Sequence, residues 1–193
     1  MALIDFDAPS IVVARALIGA SLFVSGVGGR IVETEAYDES EPASHTFGGQ
    51  TPRNAVMFGP SGRAYVYRSY GLHWCLNVTC MPPGHGAGVL IRAIEPTRGI
   101  AAMRERRGLA NPRLLCAGPG RLCQALGVTQ AMNGLRFDRP PMRLVPRAEG
   151  DAFAVAAGAR IGISKSRELP WRFVLADSAF LSTPMRGGRG AGI

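Results

Sequence analysis

At 193 residues and 47% hydrophobic content the chain can bury one sizeable core, and no polar or low-complexity stretch in its middle announces a second. A formal net charge of +8 favours a polyanionic partner over a neutral metabolite, and no segment approaches the roughly 20 apolar residues of a membrane span. MALIDFDAPS lacks the basic run of a secretory signal, and Cys75, Cys80, Cys116 and Cys123 form no Cys-x-x-Cys pair, so buried free thiols in the cytoplasm are expected.

Residues 9–19 predict a short helix, with Asp7 or Ser10 placed to cap it, Ile11, Ala14, Leu17 and Ile18 on one face, and Gly19 at its end. Residues 30–37 alternate as a strand does. Val32, Thr34 and Ala36 point one way, and Ile31, Glu33, Glu35 and Tyr37 the other. A loop rich in Gly, Pro, Ser and Thr then runs from Asp38 to about Gly62, carrying His45, Arg53 and Asn54. Ordered loops of about 20 residues inside compact domains usually bind something. Residues 63–70 and 73–79 read as a hairpin joined at Gly71-Leu72, with Tyr70 beside its tip.

GVLIRAIE at 88–95 is apolar apart from Arg92 and its final acid, as in a strand covered on both faces. A helix is expected over 97–107, starting at Pro96-Thr97, and another between Pro119 and Gly127. Short strands are expected around 153–155, 160–163 and 172–175. The last eight residues, RGGRGAGI, read as a loose cationic tail (186–193) after one domain of 1–185. Strands and helices mix without strict alternation. The expected fold is therefore α+β: a single compact domain with a curved, mostly antiparallel sheet, flanking helices and a protruding β-hairpin.

All four tyrosines (Tyr37, Tyr65, Tyr67, Tyr70) and all three histidines (His45, His73, His85) fall between residues 37 and 85. Residues 42–94 contain no acid but include Arg53, Arg63, Arg68 and Arg92. A cationic, aromatic, acid-free stretch suits base stacking and phosphate tracking, and a β-rich core that uses Tyr as a strand former explains it equally well. Glu35 and Tyr37, two apart on one strand face, emerge roughly 6–7 Å apart, the size of a flat ring. Arg92 among aliphatics needs a counter-charge if buried, with Glu35 and Glu95 as rival partners. Asn77 lies on the face away from Trp74, Leu76 and Val78. Cys75, Cys80 and His85 match no usual zinc spacing, so no metal is expected, and no Gly-rich nucleotide loop appears. Gly118-Pro119-Gly120-Arg121 either presents amides and a guanidinium to a phosphate at a helix start or is a helix entry and nothing more. The only lysine, Lys165, lies far along the chain from this cluster.

Taken together, RIVETEAY (30–37), ASH (43–45), GGQTPRNAVMF (48–58), YVYRSYGLHWCLNV (65–78), VLIRAIEP (89–96) and GPGRLCQALG (118–127) make the chain resemble the alkyladenine (3-methyladenine) DNA glycosylase family. The similarity extends from the first helix to about Leu175. The resemblance implies a general base at Glu35 that activates water, with Arg92 holding water and carboxylate in place. It implies that Tyr37, His45 and Tyr67 wall an extruded base, that Asn77 crowds the position of a guanine amino group, and that Tyr70 wedges into the minor groove. Arg53 and Arg121 are the expected DNA contacts, although relatives often carry lysine where Arg121 stands, and they vary where His73 follows the wedge.

The function so implied is excision of alkylated or deaminated purines, of the 3-methyladenine, hypoxanthine or ethenoadenine type. The partner is duplex DNA, the product an abasic site, and no cofactor or metal is needed. A monomer is the default, cytoplasmic, and nucleoid-associated in a bacterium. Two rivals come from other classes: a non-catalytic nucleic-acid-binding module, and a nucleosidase acting on RNA or free nucleosides. Glu35 speaks against the first, since an idle carboxylate in such a groove repels phosphate. Tyr70 and the net charge speak against the second.

Overall fold

The computed structural model describes residues 4–185 other than 149 and 152. Helix α1 (Ser10–Leu17) buries Val13, Ala14 and Leu17 and is followed by strands β1 (Ser21–Val24) and β2 (Val27–Asp38). After the long loop, β3 (Ala64–Ser69) and β4 (His73–Thr79) form the expected hairpin, and β5 (Ala87–Arg98) returns along β2. Helices α2 (Ile100–Arg107), α3 (Pro112–Leu115) and α4 (Pro119–Leu126) follow, then β6 (Met142–Val145), β7 (Val155–Gly158) and β8 (Arg172–Leu175). The strands form one curled sheet of order β3-β4-β5-β2-β1-β6, with β8 joining β2 and β7, and every pairing is antiparallel. An α+β fold with a single core is the result.

One face of the sheet packs on the helices through Ile31, Ala36, Val66, Leu76, Val78, Val89, Ile91 and Ile94, with α1 against β2 and α4 against β4 and β5. The other face is polar. Simple alternation puts Ile31 with the acids, but Ile31 is in the core. Its partner is Ile94 while Glu33 pairs with Ala93, so Val32 is the extra residue of a bulge. A second register shift follows at once, since Thr34 pairs with Ile91 and skips Arg92. Bulges re-aim side chains, and this pair turns Glu33, Glu35 and Arg92 toward one side while Ile31, Ile91 and Ile94 remain on the other.

Several expected boundaries change for physical reasons. No side chain caps α1, whose N-cap is Pro9. The 97–107 helix begins only at Ile100. Pro96 and Arg98 pair with Gly29 and Gly28, and a Cβ on Gly29 would sit 1.9 Å from the Glu95 carbonyl. Only bare glycine lets β5 run on so closely, and Gly99, at φ 74°, then makes the turn into α2. Strands β1 and β6 and helix α3, capped by Asn111 through the Arg113 amide, were not expected. Residues 160–163 form no strand, because their polar groups go to carboxylates of the site described below. The four cysteines are free and buried. Among the described residues no helix is long and apolar enough to cross a membrane. The expected tail at 186–193 lies outside the described residues.

Candidate active site

Beneath the polar face of the sheet lies a layer of buried charge. Glu33 and Glu35 are both 0% exposed and share one arginine. Arg92 donates from Nε to Glu33 Oε1 at 2.9 Å and from Nη1 to Glu35 Oε2 at 3.2 Å. Arg172 adds a bond from Nε to Glu33 Oε1 at 2.8 Å, and Ser182 gives its amide and hydroxyl to Glu33 at 2.6 and 2.7 Å. Glu35 also accepts from the Tyr37 hydroxyl at 2.9 Å on Oε2 and from the Ile161 amide at 2.7 Å on Oε1. Glu95, the rival partner for Arg92, pairs instead with Arg30.

The two carboxylates are pushed apart in acidity. Burial acts to raise Glu33, but Arg92, the two Ser182 donors and Arg172 outweigh it and hold the group below its ordinary value. Burial dominates at Glu35 and raises it, despite Arg92, Ile161 and Tyr37, and the neighbouring Glu33 charge adds to the rise. Two titratable groups whose environments separate their acidities are a common arrangement for acid–base work. Glu33 is thus the more acidic of the two, and Glu35 the one that holds a proton more readily.

Above this layer opens a cleft of about 650 Å³. Tyr37, Arg92 and Ile161, all partners of Glu35, line it, together with His45, Tyr65, Tyr67, Cys75, Asn77 and Leu90. His45 and Tyr67 touch edge to face, with centroids 4.5 Å apart, so they form one composite wall and leave no slot between them. The spacing argument expected a ring-sized gap between Glu35 and Tyr37. The Tyr37 hydroxyl closes it by bonding to the carboxylate, and the room for a flat ring lies over this floor instead. Asn77 is buried in the lining, its Nδ2 donating to the Tyr65 carbonyl at 3.1 Å.

The long loop is held in shape by Asn54, whose side chain donates to the carbonyls of His45 and Gly49 and accepts from the Thr51 amide. That staple fixes the backbone of His45, and burial together with Arg53 holds its imidazole below the usual pKa, in the neutral form at pH 7. Arg53 lies at the cleft, its guanidinium carbon 6.0 Å from the Tyr67 centroid. Tyr70 stands at the rim, 90% exposed and left-handed at φ 50°. Arg121 is exposed on α4 and donates to the Ala117 carbonyl, outside the cleft lining. Pro119 of the same segment does line it. Among the described residues no cluster of His, Cys, Asp or Glu is arranged to hold a metal.

Sequence reasoning missed three things. Residues 161–165 form one side of the cleft, so Lys165, distant in sequence, comes to its rim. Arg160, its side chain 0% exposed, forms a two-pronged pair with Glu41, donates to the Ala36 carbonyl at 2.9 Å and lies 4.6 Å from the Tyr37 ring centroid. It thus braces the tyrosine from behind. Ser182 and Arg172 complete the Glu33 cage. The readable signal was RIGIS (160–164), where a charged residue introduces an alternating stretch, but its counter-charge lies more than a hundred residues away.

The family model described as "Methylpurine-DNA glycosylase (MPG)" matches residues 4–179 of the chain. The chain belongs to that family. It is a DNA N-glycosylase, a hydrolase of the bond between base and sugar. A relative from Nitrosospira multiformis is 63% identical over 183 residues, covering 95% of this chain and 94% of the relative. One from Rhodopseudomonas palustris (strain BisB18) is 62% identical over 172 residues, covering 89% and 85%. A third, from Bradyrhizobium diazoefficiens, is 59% identical over 172 residues with the same coverage. All three bear the name "Putative 3-methyladenine DNA glycosylase".

Proposed function

We propose that the cleft receives one damaged purine swung out of duplex DNA, and that Glu35 activates the water that replaces it on the sugar. The observation that carries this reading is the buried Glu35, raised in pKa and held by Arg92, Tyr37 and Ile161 directly under an aromatic cleft. As the base–sugar bond breaks, its electron pair leaves with the purine and positive charge builds on the sugar, which the ionised carboxylate stabilises. Glu35 takes a proton from water, and the resulting hydroxyl bonds to the anomeric carbon. Among the described residues Glu35 Oε1 has only the Ile161 amide as partner, which leaves it a lone pair for that water. Arg92, between the two carboxylates, keeps Glu35 in register.

The substrates proposed are alkylated and deaminated purines: 3-methyladenine, named on the relatives, and hypoxanthine and ethenoadenine by shape. Tyr37 offers one face and the His45–Tyr67 wall the other, and neutral His45 stacks without opposing a cationic alkylated base. Asn77 crowds the guanine amino position by bulk, since its amide nitrogen is already turned to the Tyr65 carbonyl. Tyr70 enters the minor groove and fills the space left by the extruded nucleotide, offsetting part of the few kcal/mol that unstacking costs. Arg53 and Arg121 contact phosphates. The protein acts as a monomer and without a cofactor.

The test is a strand-cleavage gel. Duplexes holding a single hypoxanthine, ethenoadenine or 3-methyladenine are incubated with the protein and treated with alkali. Breaks at the lesion support the reading; intact strands for all three lesions would overturn it.

A further inference from the structure

The β3–β4 hairpin has two faces, and only one of them belongs to the base cleft. Tyr65, Tyr67 and Ser69 of β3, with Cys75 and Asn77 of β4, line the cleft. Val66, Leu76 and Val78 on the reverse face sit in the core. Nearer the tip that reverse face reaches the edge of the core, where Arg68 pairs in register with Trp74, which is half-buried against it. Here a second hollow of about 420 Å³ is lined by Pro52, Arg53, Arg68, Trp74, Gln130 and Asn133, with Val66 and Tyr67 at its base. It is cationic and open. Among the described residues its lining contains no acid, and neither Arg53 nor Arg68 forms a salt bridge.

The arginines are arranged, not loose. Arg68 is exposed, its guanidinium carbon 5.2 Å from the Trp74 ring centroid, which restricts the long side chain while leaving its N–H groups without a carboxylate. Arg53 borders both hollows and donates to the Arg68 carbonyl at 3.2 Å, so it joins the two faces around the outer edge of β3. Among the described residues β3 is the last strand at this edge of the sheet, and the 133–136 segment lies along it, bonding Ala64 through the Gly134 amide and the Leu135 carbonyl. The Asn133 side-chain Oδ1 accepts from the Val66 amide, which leaves the side-chain Nδ2 hydrogens as donors.

A wedge that enters the minor groove between two strands has one strand on each flank. If the lesion nucleotide leaves toward the Tyr65–Tyr67 face, the other strand runs along the reverse face. We infer that the Arg68–Trp74 hollow holds the phosphodiester backbone of the complementary strand opposite the lesion. This rests on the glycosylase reading above and extends it from the excised base to the strand that is not cut. Arg68 supplies the charge and Gln130 and Asn133 supply neutral donors. The consequence is recognition of duplex: the enzyme grips both strands across the hairpin and not only the nucleotide it flips.

The experiment uses a duplex with one tetrahydrofuran abasic site, which binds as a stable product mimic, and versions in which uncharged methylphosphonate linkages replace phosphates opposite that site. Affinities are measured by fluorescence anisotropy as a function of salt. Neutralising the complementary strand should weaken wild-type binding several-fold and lower the salt slope by about one for each lost contact. Arg68→Ala should weaken binding to the unmodified duplex similarly and lose little more on the neutralised one, whereas Arg68→Lys should recover part of the loss. Equal wild-type affinity for charged and neutralised complementary strands would overturn the inference, as would fully additive losses. An unfolded Arg68→Ala leaves the wild-type comparison to decide. A protein that excises no lesion and does not prefer the abasic duplex would instead bring down the glycosylase reading, and this inference with it.

Discussion

The floor of the cleft and the tip of the hairpin are built on opposite terms. At the floor, Glu33, Glu35, Arg92 and Arg172 are buried, and their bonds come from β2, β5, β8 and the Ser182 segment. At the tip, Tyr70 and Leu72 are 90% and 72% exposed, and Arg68 and Arg53 have no acidic partner among the described residues. The floor is fixed before DNA arrives, as preorganised electrostatics requires. On the proposed reading, the tip is left uncommitted because its partners are on the DNA. Substitutions should therefore divide into those that disturb fold and chemistry together and those that disturb recognition alone.

The largest effect should come from Glu33→Leu. It strips counter-charge from Arg92 and Arg172, and breaking such a buried pair costs about 3–5 kcal/mol, roughly 6–20 °C in Tm for a chain of this size. Excision should fall with it, since Arg92 loses the anchor that holds it on Glu35. Calorimetry and single-turnover assays on the same preparation check both. An unchanged Tm would mean that the cage is not structural.

Tyr70→Ala should do the reverse. Tm should stay within about a degree, because an exposed tip side chain contributes little to folding. Lesion binding and excision should fall several-fold to tenfold in duplex and far less in single strands, where no stack has to be refilled. Equal losses on both substrates would place Tyr70 in the pocket and not at the wedge.

The smallest effect tests fine discrimination. Asn77→Ser should raise excision of mispaired guanine while hypoxanthine excision stays within a few-fold, because the smaller side chain removes the overlap with the extra amino group. The measurement is the ratio of the two single-turnover rates in one sequence context. A constant ratio would remove Asn77 from that role.

The same division separates what could be read from the sequence from what could not. The hairpin and Tyr70 at its tip follow from local alternation and turn chemistry, and β5 around Arg92 from its apolar run, signals that act over a few residues. The Glu35–Arg92 pairing stayed open because the bulges at Val32 and Arg92 break the alternation that would have assigned faces. Arg160, Arg172 and Ser182 escaped notice because their partners are 119 to 149 residues away, and long-range pairing leaves no periodic trace. Lys165, far along the chain, comes to the cleft through the same kind of long-range folding. Resemblance supplied roles for Tyr37, His45 and Tyr67, but the edge-to-face contact that merges two of them into one wall is a property of the fold.

The central claim is that Glu35, ionised, is the base. It is tested most directly by the single-turnover excision rate against pH for the wild type and for Glu35→Gln, alongside lesion binding. A base works only when deprotonated, and burial raises Glu35. The wild-type rate should therefore climb with pH through a limb that lies above the ordinary carboxylate value of about 4.3. Glu35→Gln should lower the rate by about 10²–10⁴-fold, abolish that limb and leave lesion binding equal or tighter. A variant that keeps more than a few percent of the rate with the limb intact would place the base elsewhere.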